Sequence, residues 1–88
     1  MNELSDLEMR VLGILDEGEP ESTIFRVESY ARHDRPSYRG RYDLIFDAMT
    51  KLSKRGLASG RIDSCGQDVW KRTPAGTAAL AKHRDGGS

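Results

Sequence analysis

Residues 37–76, SYRGRYDLIFDAMTKLSKRGLASGRIDSCGQDVWKRTPAG, pass from a helical hydrophobic period to a strand-like one and back. Between Tyr42 and Arg55, the apolar Ile45, Ala48, Met49 and Leu52 fall at i, i+3, i+4 and i+7, the spacing of one buried helix face. The opposite face then shows Asp43, Asp47, Thr50 and Lys54, flanked by Lys51 and Arg55. Arg55-Gly56-Leu57 reads as a helix end, with Gly56 supplying the left-handed residue. Leu57 to Ile62 and Asp68 to Arg72 read as two short strands joined by Asp63-Ser64-Cys65-Gly66-Gln67. Thr73 caps a further helix, and Pro74 takes its first position, where a missing N–H is not needed.

Upstream, Ser5-Asp6-Leu7-Glu8 is a capping box, and Leu4 and Met9 occupy the two positions of a hydrophobic staple. Leu4, Leu7, Val11, Ile14 and Leu15 mark the buried side of this first helix, which the spacing ends at Gly18. Pro20 opens a second helix, with Ile24, Val27 and either Ala31 or Tyr30 facing inward. It ends near His33-Asp34, because Pro36 disfavours helical geometry at Arg35. His33 has no second metal ligand near it in sequence and reads as an exposed helix-end residue. Trp70 is expected to anchor the hairpin on the core. Ala78, Ala79 and Leu80 carry the last helix, with one domain over 1–84 and a disordered tail over 85–88. The order helix-helix-helix-strand-strand-helix is mainly α with a small β-wing (α+β). This is the outline of a winged helix-turn-helix, a fold that presents one helix outward.

A chain of 88 residues makes one domain that buries roughly 60–65% of the surface its unfolded form exposes, which leaves little room for an enzyme cleft. No apolar run approaches the ~20 residues that span a bilayer. Met1-Asn2-Glu3-Leu4 lacks the basic-then-apolar pattern of a secretory signal, so a cytoplasmic location is expected. Cys65 is the single cysteine and has no partner for an internal disulfide or a multi-cysteine zinc site. No nucleophile–base pair, phosphate-binding glycine loop or metal-ligand spacing is present, so no enzyme activity, cofactor or metal is expected. The zero net charge hides a split: residues 1–34 hold nine acids and three bases, and residues 35–88 hold eleven bases and five acids. If this split survives in three dimensions, one side of the domain can meet an anionic ligand.

Within the basic half, Arg35-Pro36-Ser37-Tyr38-Arg39-Gly40-Arg41-Tyr42 interleaves three arginines and two tyrosines with turn formers. Arginine binds phosphate or guanine edges with a forked geometry, and tyrosine bonds a phosphate or stacks on a base. The candidate DNA-binding residues are therefore Arg35, Ser37, Tyr38, Arg39, Arg41, Tyr42 and Lys51, with Arg61, Gln67 and Lys71 from the wing. The competing structural reading is a surface loop whose tyrosines fold onto the core. Asp43 and Asp47 oppose simple phosphate binding, although an aspartate can accept from cytosine.

Ile45, Ala48, Met49 and Leu52, then Lys54-Arg55-Gly56-Leu57, then Trp70-Lys71-Arg72-Thr73-Pro74-Ala75-Gly76-Thr77-Ala78-Ala79-Leu80 resemble the DNA-binding half of PadR-like and MarR-like winged-helix transcriptional regulators. The likeness lies in a recognition helix ending in a Gly-Leu turn, and in a strand ending in Thr-Pro-x-Gly before an apolar helix. It spans 4–82 and is sharp over 44–80. The resemblance implies transcription regulation, with duplex DNA bound through the 35–51 segment and the 61–71 wing. Those regulators carry long additional helices that build a dimer, whereas almost nothing follows Leu80, so a monomer or weak homodimer is expected. The alternative partner is a protein: the fold would then serve as an adaptor, or as a phage or mobile-element inhibitor whose acidic half mimics nucleic acid.

Overall fold

The computed structural model describes residues 4–18 and 21–86, with side chains to residue 82. Its elements are α1 (Asp6–Ile14), α2 (Ile24–Asp34), a 3-10 turn (Pro36–Tyr38), α3 (Tyr42–Lys54), β1 (Ala58–Ile62), β2 (Asp68–Arg72) and α4 (Pro74–Gly86). The expected order and fold class are those observed.

The capping box of α1 forms in both directions: Glu8 N–H donates to Ser5 Oγ at 3.1 Å, and Ser5 N–H to Glu8 Oε1 at 2.8 Å. The helix stops at Ile14 rather than Gly18, and Leu15 is already extended at ψ 140. The chain leaves early to meet the sheet, where Arg72 N–H donates to the Asp16 carbonyl at 2.8 Å. The buried face accordingly comprises Glu8, Val11, Leu12 and Leu15, so Leu12 joins the stripe, while Leu4, Leu7, Met9 and Ile14 are partly buried around it.

The second helix starts at Ile24, not at Pro20, which with Glu19 lies outside the described residues. Ser22 exchanges two backbone hydrogen bonds with Trp70, each 2.8 Å, as a single antiparallel bridge. A residue held this way cannot be helical, so Thr23 becomes the cap, its Oγ1 accepting from Arg26 N–H at 3.2 Å. Ala31, not Tyr30, takes the inward position: Ala31 is fully buried and Tyr30 is 53% exposed.

The stripe Ile45, Ala48, Met49 and Leu52 is buried as expected, and these residues meet Val11, Leu12, Leu15, Val27 and Ala31 in one core. Gly56 has φ +75. The first strand begins one residue late, because Leu57 N–H still closes the helix end on the Leu52 carbonyl at 2.9 Å. The two strands are antiparallel, from Ala58 opposite Arg72 to Ile62 opposite Asp68. Trp70 is 7% exposed and anchors the sheet, with its ring lying so close over Gly60 that an added Cβ would be 2.7 Å from Trp70 Cδ1. Arg72, half-buried, ties the sheet to α1 and α4, donating to the Leu12 carbonyl at 3.0 Å and to Thr77 Oγ1 at 2.9 Å. The last helix continues to Gly86, past residue 85 where a tail was expected to begin; residues 87 and 88 lie outside the described residues.

Candidate nucleic-acid interface

The turn between α2 and α3 is fastened from below. Glu28, 3% exposed on α2, accepts from Gly40 N–H at 2.9 Å, and Gly40 adopts φ +71. A carboxylate is tolerated in such a place only when hydrogen-bonded, and the Arg32 guanidinium 3.8 Å away adds a countercharge. Tyr38 is half-buried against the core and donates its hydroxyl to Asp6 Oδ2 at 3.4 Å, so it tethers the turn to α1. Asp6 also accepts from Arg10 at 2.9 Å, with Arg35 at 4.0 Å; the Arg10 hydrogen bond above all holds its carboxyl below the usual range. Ser37, Arg35 and Arg39 are exposed. Arg39 lines an open hollow of about 560 Å³ with Ser29, Tyr30, Arg32, His33 and Pro36, where its guanidinium and that of Arg32 are suited to phosphate oxygens.

On α3, Arg41 at the N-cap places Nε and Nη2 each 3.4 Å from the Asp43 carboxylate oxygens. That hydrogen bonding is the main reason Asp43 titrates lower than an ordinary carboxylate. Lys51 Nζ is 3.1 Å from Asp47. Both acids of the outward face are thus paired to bases. Tyr42 is 39% exposed and meets the Phe25 ring edge-on at 5.6 Å.

Strand alternation separates the wing residues from this cluster. Ser59, Arg61, Val69 and Lys71 share one face of the ladder, and Trp70, whose ring meets Phe46 of α3 at 5.8 Å, stands on the other. Arg61 is paired to Glu21, with Nε 3.0 Å from Oε2. Gln67 is exposed in the loop, where its N–H donates to Asp63 Oδ1 at 2.9 Å. The structure therefore gathers the 35–42 residues on the α2–α3 unit, keeps Lys51 two turns along α3, and sets Arg61 and Lys71 on the wing, where Arg61 also borders the groove facing α3. The sequence reading missed the exposed Phe46 (47%) and Ile62 (66%), which line a groove of about 330 Å³ between α3 and the wing with Thr50, Lys54 and Trp70. The available signal was an aromatic residue one position off the buried stripe.

Among the described residues, no cluster of histidine, cysteine and carboxylate side chains could hold a metal, and no helix is long and apolar enough to cross a membrane. A scan against protein-family models and a search of curated proteins find no match to the chain. Among solved structures it is similar to a MarR-family transcriptional regulator from Silicibacter pomeroyi, with a TM-score of 0.72 and 23% identity. The match covers 90% of this chain and 49% of that one, so the chain spans about half the length of that relative. Both the element order and this likeness give the chain a winged helix-turn-helix fold of the kind found in that MarR-family regulator.

Proposed function

We propose that this is a small cytoplasmic DNA-binding regulator, a single domain acting as a monomer or weak homodimer. The observation that carries the reading is the α2–α3 unit: Glu28 locks the turn, and Arg35, Arg39, Arg41 and Tyr42 stand exposed around the N-terminal end of α3. That end is the part of a recognition helix that meets base edges, while flanking cations hold phosphates. In this reading Arg35 and Arg39 take phosphates on one side, with Ser37 and Tyr38 lining the approach and Lys51 further along the helix. Arg61 and Lys71 steady the wing on the backbone, and Gln67 reaches a groove edge from the loop. The MarR-family regulator of the same fold supports a regulatory role.

The test is binding to random duplex DNA across a salt series. Four phosphate contacts predict a log–log slope of about −3.6. Absence of binding at low salt would overturn the reading. It would favour instead a winged helix that docks on a protein, for which the exposed Phe46 and Ile62 are the supporting observation.

A further inference from the structure

The outward side of α3 and its N-cap carries Arg41, Asp43, Asp47, Lys51 and Lys54, three bases and two acids. For a surface that only gathers phosphates the acids are a pure cost. Here they are partners, and the Arg41–Asp43 pair has a definite geometry. Nε and Nη2 of Arg41 both point at the Asp43 carboxylate, 3.4 Å from Oδ1 and Oδ2. A guanidinium is a flat fork with five N–H groups, so engaging the Nε edge leaves the Nη1/Nη2 edge unengaged by Asp43. That free edge matches the O6 and N7 acceptors of guanine in the major groove. Arg41 occupies the N-cap of α3, the end that meets base edges.

We infer that Arg41 reads a guanine and that Asp43 is its positioning residue, holding the guanidinium in plane for bidentate contact and keeping it off the phosphates; this rests on the DNA-binding reading above. Charge counting alone says that removing Asp43 improves binding. Positioning says that it improves only the wrong binding.

The experiment selects the preferred duplex of the full chain from a random library. It then measures binding to that duplex, to a scrambled one and to single-base substitutions at fixed salt. The variants are Asp43→Ala, Asp43→Asn and Arg41→Lys, each checked by its melting temperature. For Asp43→Ala the expected result is tighter binding to scrambled DNA together with a preferred-to-scrambled ratio reduced about tenfold, the loss confined to one G·C pair. Arg41→Lys, which keeps the charge but not the fork, should lose preference at the same pair with an unchanged salt slope. Combining the two should add little further loss. An unchanged or higher ratio in Asp43→Ala overturns the inference. So does a loss at a cytosine that Arg41→Lys does not share, since Asp43 would then contact the base itself. Wild-type protein that binds duplexes with no base preference also overturns it and leaves DNA binding standing, whereas wild-type protein that binds no duplex at low salt overturns both.

Discussion

Alanine at Gly76 and at Gly13 should change stability in opposite directions. Both glycines are helical, Gly76 in the first turn of α4 and Gly13 near the end of α1. A Cβ on Gly76 would fall on the Leu57 carbonyl oxygen, 2.8 Å from Arg72 Cγ and 3.1 Å from Leu12 Cδ1. The carbonyl is already committed, accepting from Thr73 N–H at 3.1 Å, and belongs to backbone that cannot swing aside. Overpacking of this kind costs about 1–3 kcal/mol, and backbone as the obstacle puts Gly76 at the upper end. Alanine's helix propensity returns at most ~1 kcal/mol, so Gly76→Ala should lose about 2 kcal/mol net. For a domain of this size that is a fall in Tm of about 8–16 °C. Gly13 has nothing within 4 Å of an added Cβ, so Gly13→Ala should gain up to ~1 kcal/mol. Thermal melts followed by circular dichroism measure both. A Gly76→Ala protein as stable as wild type would refute the close approach of α4 to Leu57.

Three further outcomes follow from the site. Glu28→Ala should cost about 1.5–3 kcal/mol in a denaturant titration and weaken DNA binding, while Glu28→Gln, which keeps an acceptor for Gly40 N–H, should recover most of both. Arg39→Ala should weaken duplex binding by about 1–3 kcal/mol and lower the salt slope by about one; an unchanged slope would mean that the Arg39 hollow does not face phosphate. Asp6 and Asp43 both have lowered folded pKa values, so the unfolded chain takes up protons first. Their contribution is present above the unfolded carboxylate range and is lost as pH falls through the folded one. Equilibrium unfolding should therefore be level near neutrality and weaken below about pH 4, with Asp6→Asn flattening part of that slope. The change should be modest, because these pairs are exposed to solvent.

What could be read from the chain was whatever one element decides by itself. The α3 stripe, the Ser5–Glu8 box, Gly56 and the Thr73-Pro74 start depend on residues within a turn of one another, and each stands where its spacing put it. The start of α2 depends on Trp70, nearly fifty positions away, whose backbone claims Ser22; no local pattern announces a one-residue bridge. Among the candidate contacts the same division holds. That Arg39 would be exposed follows from the turn formers around it, but that Tyr42 would stand partly exposed against Phe25, that Tyr38 would bond Asp6 and that Arg61 would face Glu21 follows only from the assembled fold.

Those long-range partners also decide what the charge split means. Arg10 bridges Asp6 and Asp34, the Arg26 guanidinium lies 3.9 Å from Asp16, and Arg61 crosses to Glu21. The acids of the first half thus neutralise bases from both halves, and the half-buried Arg72 is engaged by the Leu12 carbonyl. Among the described residues no carboxylate pairs with Arg39, Lys54 or Lys71, while Arg41 and Lys51 arrive at α3 already matched with Asp43 and Asp47. On the DNA-binding reading proposed above, a surface with so few uncompensated cations would draw duplex DNA weakly and over short range. Discrimination on that reading then rests on base edges such as the guanine assigned to Arg41, with Asp43 holding the guanidinium in plane. In that reading Asp43 and Asp47, which oppose simple phosphate binding, would raise the contrast between the right site and all others by lowering the affinity of the wrong ones.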